Sequence, residues 1–114
     1  MIKTPLCDLL GIKYPIFQGG MAHISDGRLA AAVSEAGGLG IIAAASRDAA
    51  FVKEQIDIAR SLTDKPFGVN VMLMSEYAGE VAELLAKEKV AVITTGAGNP
   101  SAYMQMWLDA GIKV

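Results

Sequence analysis

The sequence has one cysteine, one histidine, one tryptophan and no long run of apolar residues. Its single cysteine, Cys7, excludes an intrachain disulfide and favours a reducing compartment, so we expect a cytoplasmic protein. The longest apolar stretch, residues 38–45, is far shorter than the roughly 20 residues that cross a bilayer. The first residues carry Lys3, Pro5 and Asp8 where a signal peptide has an apolar segment, so no export signal is expected.

An excess of charge of one sign is also lacking. Ten basic and twelve acidic residues give a net charge of -2, and the basic residues form no run. Nucleic acids and anionic membrane surfaces are therefore not expected as partners. Separately, no metal site is predicted. Apolar residues, by contrast, make up 53% of the 114 positions, which is enough for one domain with a hydrophobic core.

Four short apolar runs alternate with longer segments of helical periodicity. The runs are Ile16 and Phe17, Leu39 to Ala45, Phe67 to Met74, and Val90 to Thr94. Near-continuous apolar runs are typical of strands that are covered on both faces, as in a parallel sheet with helical crossovers. The pattern therefore predicts repeated strand, loop and helix units.

Helix signals follow each run. Ser25 or Asp26 can cap the first helix, Ser46 and Asp48 precede the second, and Ser75 is expected to cap the third. The first helix has an apolar stripe made of Leu29, Ala32, Val33 and Ala36, and Gly37 with Gly38 ends it. The fourth helix is marked by Tyr103, Met106, Trp107 and Ala110. Each apolar run is thus expected to lead into one helix.

The four units, with Ile112 to Val114 as the start of a fifth strand, fit either a doubly wound sheet or a (β/α)₈ barrel. A full barrel takes about 250 residues, and this chain supplies about half. We therefore expect residues 1–114 to form the N-terminal half of a (β/α)₈ TIM barrel. Its unpaired strand edges favour a homodimer or association with a complementary C-terminal half.

Candidate functional residues lie where the strands end, because loops converge on ligands there. Two of the four loops, after Gln18 and after Thr95, are rich in glycine, which allows either a tight turn or the close approach of a flat ring. Asn70 lies in an otherwise apolar strand, so its amide needs a partner from a neighbouring backbone or from a ligand. Thr94 has the simpler interpretation of a strand-end residue.

Four segments, in this order, carry a resemblance: PIFQGGMA, AAAVSEAGGLGII, PFGVNVML and TTGAGNP. From Leu9 to Val114 the chain resembles the N-terminal half of the family of FMN-dependent enoyl-acyl-carrier-protein reductase II and nitronate monooxygenase. The resemblance implies a TIM barrel that binds FMN. It also implies that the usual catalytic histidine lies beyond Val114.

The resemblance assigns roles to particular residues. It implies that the flavin is contacted by Gly20, Met21, Ala22, Asn70, Thr95 and Gly96. It places His23, Ala97 and Gly98 at the substrate pocket. His23 does not correspond to the family's catalytic histidine, and nothing nearby is placed to orient it as a proton donor. We expect it at the wall or rim of the site.

The combination of GGM in the first loop with TTGAGNP in the fourth is similar to the reductase branch. The implied activity is reduction of a 2-enoyl thioester by NAD(P)H through FMN, in fatty-acid synthesis, on a small-molecule or carrier-protein-linked substrate. The alternative within the family is oxidation of alkyl nitronates with FMN and O₂. An alternative of another class is a non-catalytic half-barrel that serves only in folding or assembly.

Overall fold

Parallel strands lie side by side in the order in which they occur in the chain. In residues 2–114, which the computed structural model describes, the sheet has three strands: β1 (Gly40–Ala43), β2 (Phe67–Met72) and β3 (Val92–Gly96). Single parallel bridges add Phe17 at one edge and Lys113 at the other. The order does not reverse within these residues, as it would in a doubly wound sheet. The predicted α/β architecture with a parallel sheet is confirmed, and this order is that of a barrel wall.

The first predicted strand is wrong in extent, because only Phe17 forms a bridge. The backbone N–H of Gln18 still donates to Leu39, at 3.0 Å. Beyond that point the side-chain amide of Gln18 takes over, since its Nε2 donates to the Ile41 carbonyl at 3.1 Å and its Oε1 accepts from the Ile41 N–H at 3.3 Å. A side chain thus replaces the next pair of sheet hydrogen bonds, and the main chain leaves the sheet at Gly19.

Five helices lie in the described residues: α1 (Pro5–Leu10), α2 (Gly27–Glu35), α3 (Ala49–Leu62), α4 (Ala78–Glu88) and α5 (Ser101–Asp109). Two of the predicted caps are confirmed. Asp26 accepts from Leu29 N and Asp48 accepts from Phe51 N, both at 2.9 Å, which satisfies an unpaired donor at each helix start. The periodicity of the sequence did not predict α1.

The predicted cap of the third helix is wrong. Ser75 Oγ accepts from Tyr77 N at 3.1 Å in a turn, and α4 begins only at Ala78. Glu80, in the first turn of α4, instead accepts from Ala49 N at the start of α3, at 2.9 Å. A carboxylate of α4 thus serves as an acceptor for the first backbone N–H of α3, the preceding helix.

The predicted apolar stripe of α2 is also wrong, because α2 buries its small residues. The buried positions are Gly27, Ala30, Ala31 and Ser34. A Cβ on Gly40 would lie 1.9 Å from the carbonyl oxygen of Ala30, and one on Gly27 would lie 2.3 Å from that of Gln55. The helix therefore packs backbone against backbone on β1 and α3, and larger side chains such as Leu29 do not fit between them.

Two apolar clusters cover the two faces of the sheet. The larger one lies between the strands and the helices, and Trp107 is fully buried in it with its Nε1 donating to Ala82 O at 3.0 Å. The smaller one joins α1 to the opposite face of the sheet, near the amino ends of the strands. Its members are Cys7, Leu10, Ile12, Leu39, Ile41 and Val92. Cys7 is thus a core residue.

Candidate functional site

The carboxyl-end half of the inner sheet face carries two polar side chains in register. Asn70 pairs with Thr94 across β2 and β3, and side chains directly opposite on parallel strands share a face. Thr94 Oγ1 donates to Asn70 Oδ1 at 2.8 Å. The amide oxygen that the sequence left without a partner is therefore satisfied by a hydroxyl on the next strand.

This hydrogen bond fixes the orientation of the Asn70 amide. With Oδ1 facing Thr94, the two Nδ2 donors point away from it, and no hydrogen bond within the described chain engages them. The side chain is half-buried, and every fully buried side-chain polar atom of the described residues has a partner. The Nδ2 group is therefore an accessible donor with a fixed direction, suited to a carbonyl or another acceptor on a ligand.

A cavity of about 240 Å³ opens beside this amide. It is lined by Gly20, Ala22, Ala43, Ala45, Asn70, Met72, Gly96 and Ala97. Most of these side chains are a methyl group or a hydrogen, so the walls consist largely of backbone. Five of the nine residues that the resemblance assigned to the site line this cavity: Gly20, Ala22, Asn70, Gly96 and Ala97.

The two glycines that line the cavity lack a side chain for different physical reasons. A Cβ on Gly20 would lie 2.9 Å from Cβ of Asn70, so the first loop rests directly on the asparagine. A Cβ on Gly96 would meet nothing within 4 Å, so that glycine leaves open space in the cavity. The first glycine is required for packing within the protein, and the second one widens the room for a ligand.

Three of the loops at this end contain a residue other than glycine with a positive φ. These are His23 at 66°, Ser46 at 54° and Ala97 at 57°. The left-handed conformation costs an L-residue about 1–2 kcal/mol, and such strain collects at functional sites. The backbone of the loops around the cavity is therefore held in shape by the surrounding structure rather than by local preference.

The other four predicted residues do not line the cavity. Met21 is exposed, and both its N–H and its carbonyl bond to the hydroxyl of buried Ser25. Thr95 pairs with Val71, so its side chain lies on the helix-facing side of the sheet. Gly98 packs against Leu73. These assignments stay predictions, and Thr95 can reach the cavity only through its backbone.

His23 does not line the cavity beside Asn70. It lines a neighbouring cavity of about 380 Å³ together with Arg47 and Gln55. Its predicted place at a wall or rim of the site therefore stays a prediction, tied to that second cavity.

Sequence reasoning missed three contributors. Thr94 was interpreted as a strand-end residue, although a parallel register with Asn70 would have found it. Ala43, at the end of β1, lines the cavity and gave no signal beyond being apolar. Gln18, whose side chain ends the first strand early, could be found only from its long-range contact with Ile41.

The cavity lining contains no ionisable side chain. Among residues 2–114 there is also no cluster of three potential metal ligands, and no helix is long and apolar enough to cross a membrane. The site therefore offers shape, backbone and one oriented amide. Redox chemistry there must come from a bound group, because none of the lining side chains can supply it.

Comparison with known proteins gives the family context. A family model described as nitronate monooxygenase matches residues 3–109. A dehydrogenase of Mycobacterium tuberculosis, named as acting on a hydroxy-methyl-oxo-octahydro-indene-carboxyl-CoA, is 41% identical over 99% of this chain and 32% of its own length. A probable nitronate monooxygenase of Staphylococcus aureus is 43% identical over 67% of this chain and 21% of its own length.

Solved structures agree with the fold. FabK from Thermotoga maritima is 46% identical, with a TM-score of 0.97 over 100% of this chain and 37% of that one. A nitroalkane oxidase from Streptomyces ansochromogenes is 28% identical, with a TM-score of 0.85 over 96% of this chain and 41% of that one. This chain spans about a third of the length of the M. tuberculosis relative. From the match over nearly all its residues, the chain belongs to the nitronate monooxygenase family.

Proposed function

We propose that the protein is a flavin-dependent oxidoreductase that binds FMN in the cavity beside Asn70. The observation that carries the proposal is the fixed Asn70 amide, whose free Nδ2 donors face a cavity walled by small residues. A flavin ring is flat and has carbonyl oxygens along one edge. The carbonyl oxygens at the edge of the ring can accept from Asn70 Nδ2. The flat faces of the ring fit between cavity walls that consist mostly of backbone.

The residues of this chain have separate tasks in the proposal. Asn70 holds a ring carbonyl through Nδ2, and Thr94 keeps the amide in that orientation. Gly96 leaves room for the ring, while Gly20 lets the first loop lie against Asn70. The resemblance also assigns backbone contacts to Met21, Ala22 and Thr95. All of these groups bind and orient, and none of them transfers a proton.

For the activity we favour reduction of a 2-enoyl thioester by NAD(P)H. Support comes from the similarity to FabK, an enoyl-acyl-carrier-protein reductase II, and from the CoA ester in the printed name of the M. tuberculosis relative. Bound FMN supplies hydride transfer from NAD(P)H to the β-carbon, and a proton goes to the α-carbon. The proton donor is not among the residues that line the cavity.

Two alternatives remain as proposals. Oxidation of alkyl nitronates with O₂ is favoured by the description of the family model and by the S. aureus relative. A non-catalytic role is compatible with a cavity whose lining contains no ionisable side chain. It would make the chain a folding or assembly unit.

Association is a further part of the proposal. Ile16 and Phe17 are exposed at one edge of the sheet. Unpaired strand edges with apolar side chains favour pairing with another chain. We propose a complementary C-terminal half or a second copy as that chain. Sedimentation of the purified protein distinguishes a second copy from a monomer, and sedimentation after adding the complementary half tests the other partner.

The experiment is a titration of the protein with FMN, followed by flavin absorbance and by quenching of flavin fluorescence. It is repeated after adding the remaining part of a family barrel, such as that of T. maritima FabK. We expect Asn70→Ala to weaken binding about fivefold to tenfold, because a hydrogen bond to a buried acceptor is lost. Gln105→Ala is the matched control, since Gln105 is an exposed amide on α5 bonded only to Asp109.

FMN binding that is absent both with and without the added half would overturn the site assignment, as would equal losses in the two variants. With FMN bound, NADH oxidation in the presence of crotonyl thioester is compared with O₂ uptake in the presence of a nitronate. Faster turnover of the nitronate would replace the reductase with the monooxygenase. Flavin binding with neither activity would favour the assembly role.

A further inference from the structure

A second cavity lies beside the flavin cavity, at the same end of the sheet. Its volume is about 380 Å³, and it is lined by His23 of the first loop, Arg47 just before α3, and Gln55 within α3. Ala43 lines both cavities, so the two are neighbours. A ligand that reacts in the first cavity could therefore extend into the second.

Arg47 is held in place by an aromatic ring rather than by a carboxylate. Its guanidinium carbon lies 3.6 Å from the centre of the Phe51 ring, a distance typical of a stacked cation–π contact. Arg47 forms none of the ion pairs found in residues 2–114. Stacking fixes the plane of the guanidinium and leaves its N–H edge for an oxyanion.

Gln55 adds a second donor. The residue is only 8% exposed, and its Oε1 accepts from Gly27 N at 2.9 Å. Its Nε2 has no hydrogen-bond partner in the described chain. Every fully buried side-chain polar atom of the described residues does have a partner, so Nε2 is not fully buried. The Nε2 group of this buried side chain therefore reaches the cavity as an unpartnered donor, just as the Asn70 amide does next door.

One carboxylate also lines this cavity. Asp26 Oδ1 accepts from Leu29 N and caps α2, so its charge is already stabilised by the positive end of the helix. The free donors are then the Arg47 guanidinium, the Gln55 amide and the His23 ring. That set suits a phosphate, because Arg matches its geometry with paired N–H groups.

We propose that this second cavity binds a phosphate group of the co-substrate, either of the carrier of the thioester or of NAD(P)H. The inference rests on the proposed function, since both compounds bear phosphates at a distance from their reacting atoms. Arg47 and Gln55 hold the phosphate, and the reacting end enters the flavin cavity past Ala43.

The experiment measures ligand affinity calorimetrically for the protein and three variants. Arg47→Gln removes the charge, and Gln55→Glu keeps the acceptor for Gly27 but removes the donor. Arg28→Gln is the control, because Arg28 is exposed on α2 and forms no ion pair within residues 2–114. The probes are coenzyme A against pantetheine, and NADPH against nicotinamide riboside.

We expect Arg47→Gln and Gln55→Glu to weaken one of the two phosphate-bearing probes about tenfold and to leave its phosphate-free counterpart unchanged. The probe that loses affinity identifies the source of the phosphate. Circular dichroism checks that the variants fold. Equal losses with Arg28→Gln, or no loss in either cavity variant, would overturn the inference.

Flavin titrations separate this inference from the proposed function. If Arg47→Gln weakens FMN but not riboflavin, the cavity holds the phosphate of the flavin itself and the inference is wrong. If FMN fails to bind even the unaltered protein while coenzyme A or NADPH still depends on Arg47, the flavin proposal fails and the phosphate site stands.

Discussion

The two ends of the same three strands are packed differently. At the amino ends, α1 covers the inner face of the sheet and α2 lies backbone to backbone on the helix-facing side of β1, so both faces are closed. At the carboxyl ends, the inner face carries Asn70, Thr94 and open space at Gly96. One end is built for stability and the other for a ligand, as in barrels whose active sites lie at the carboxyl end.

The glycines make the difference measurable. A methyl group on Gly40 would lie 1.9 Å from a backbone oxygen of α2, whereas one on Gly96 would meet nothing within 4 Å. The same substitution is therefore a strong perturbation at one end and a weak one at the other. Three predictions test the contrast, ordered by their expected effect on folding stability.

The largest effect is expected for Gly40→Ala. The added methyl group meets the Ala30 carbonyl, which belongs to a helix backbone and cannot rotate away as a side chain can. We expect a loss of at least about 3 kcal/mol in the free energy of unfolding, at the upper end of overpacking effects. Urea denaturation followed by circular dichroism measures it. A loss below about 1 kcal/mol would mean that α2 shifts freely.

An intermediate effect is expected for Thr94→Val, which removes the hydroxyl bonded to Asn70 at almost constant volume. One partly buried hydrogen bond is lost, so the free energy of unfolding should fall by about 1 kcal/mol. The Asn70 amide can then rotate, and FMN affinity should fall about fivefold. Thr4→Val, just before α1, is the control for affinity. Unchanged FMN binding in Thr94→Val would show that Asn70 needs no orienting partner.

The smallest effect on stability is expected for Gly96→Ala. Because the new methyl group enters open space, the free energy of unfolding should change by no more than about 0.5 kcal/mol. The cavity becomes narrower, so FMN titration should reveal weaker binding in a variant of unchanged stability. Normal FMN binding by Gly96→Ala would indicate that the ring lies elsewhere in the cavity.

Much of the fold could be predicted from local signals. The caps at Asp26 and Asp48 start their helices where the sequence indicated, because a cap acts within one turn. The apolar runs at Leu39 and Phe67 led to β1 and β2, within a few residues of the predicted limits. The resemblance named five residues that the fold brings together at one cavity.

Other features could not be predicted because they depend on contacts between distant residues. The buried face of α2 contains Ala30 and Ala31 rather than Leu29, since β1 comes too close for larger side chains. Helical periodicity measures hydrophobicity around one helix and carries no information about the distance to its neighbour. The early end of the first strand has the same origin, in the contact of Gln18 with Ile41.

The sequence by itself determined the alternation of strands and helices, the helix starts at Asp26 and Asp48, and the family. Those features follow from periodicity, capping and motif order, which act over a few residues at a time. Only the tertiary structure decided which amide groups keep a free donor. Asn70 and Gln55 each have their oxygen satisfied by a residue more than twenty positions away, and that long-range pairing turns each nitrogen towards a cavity.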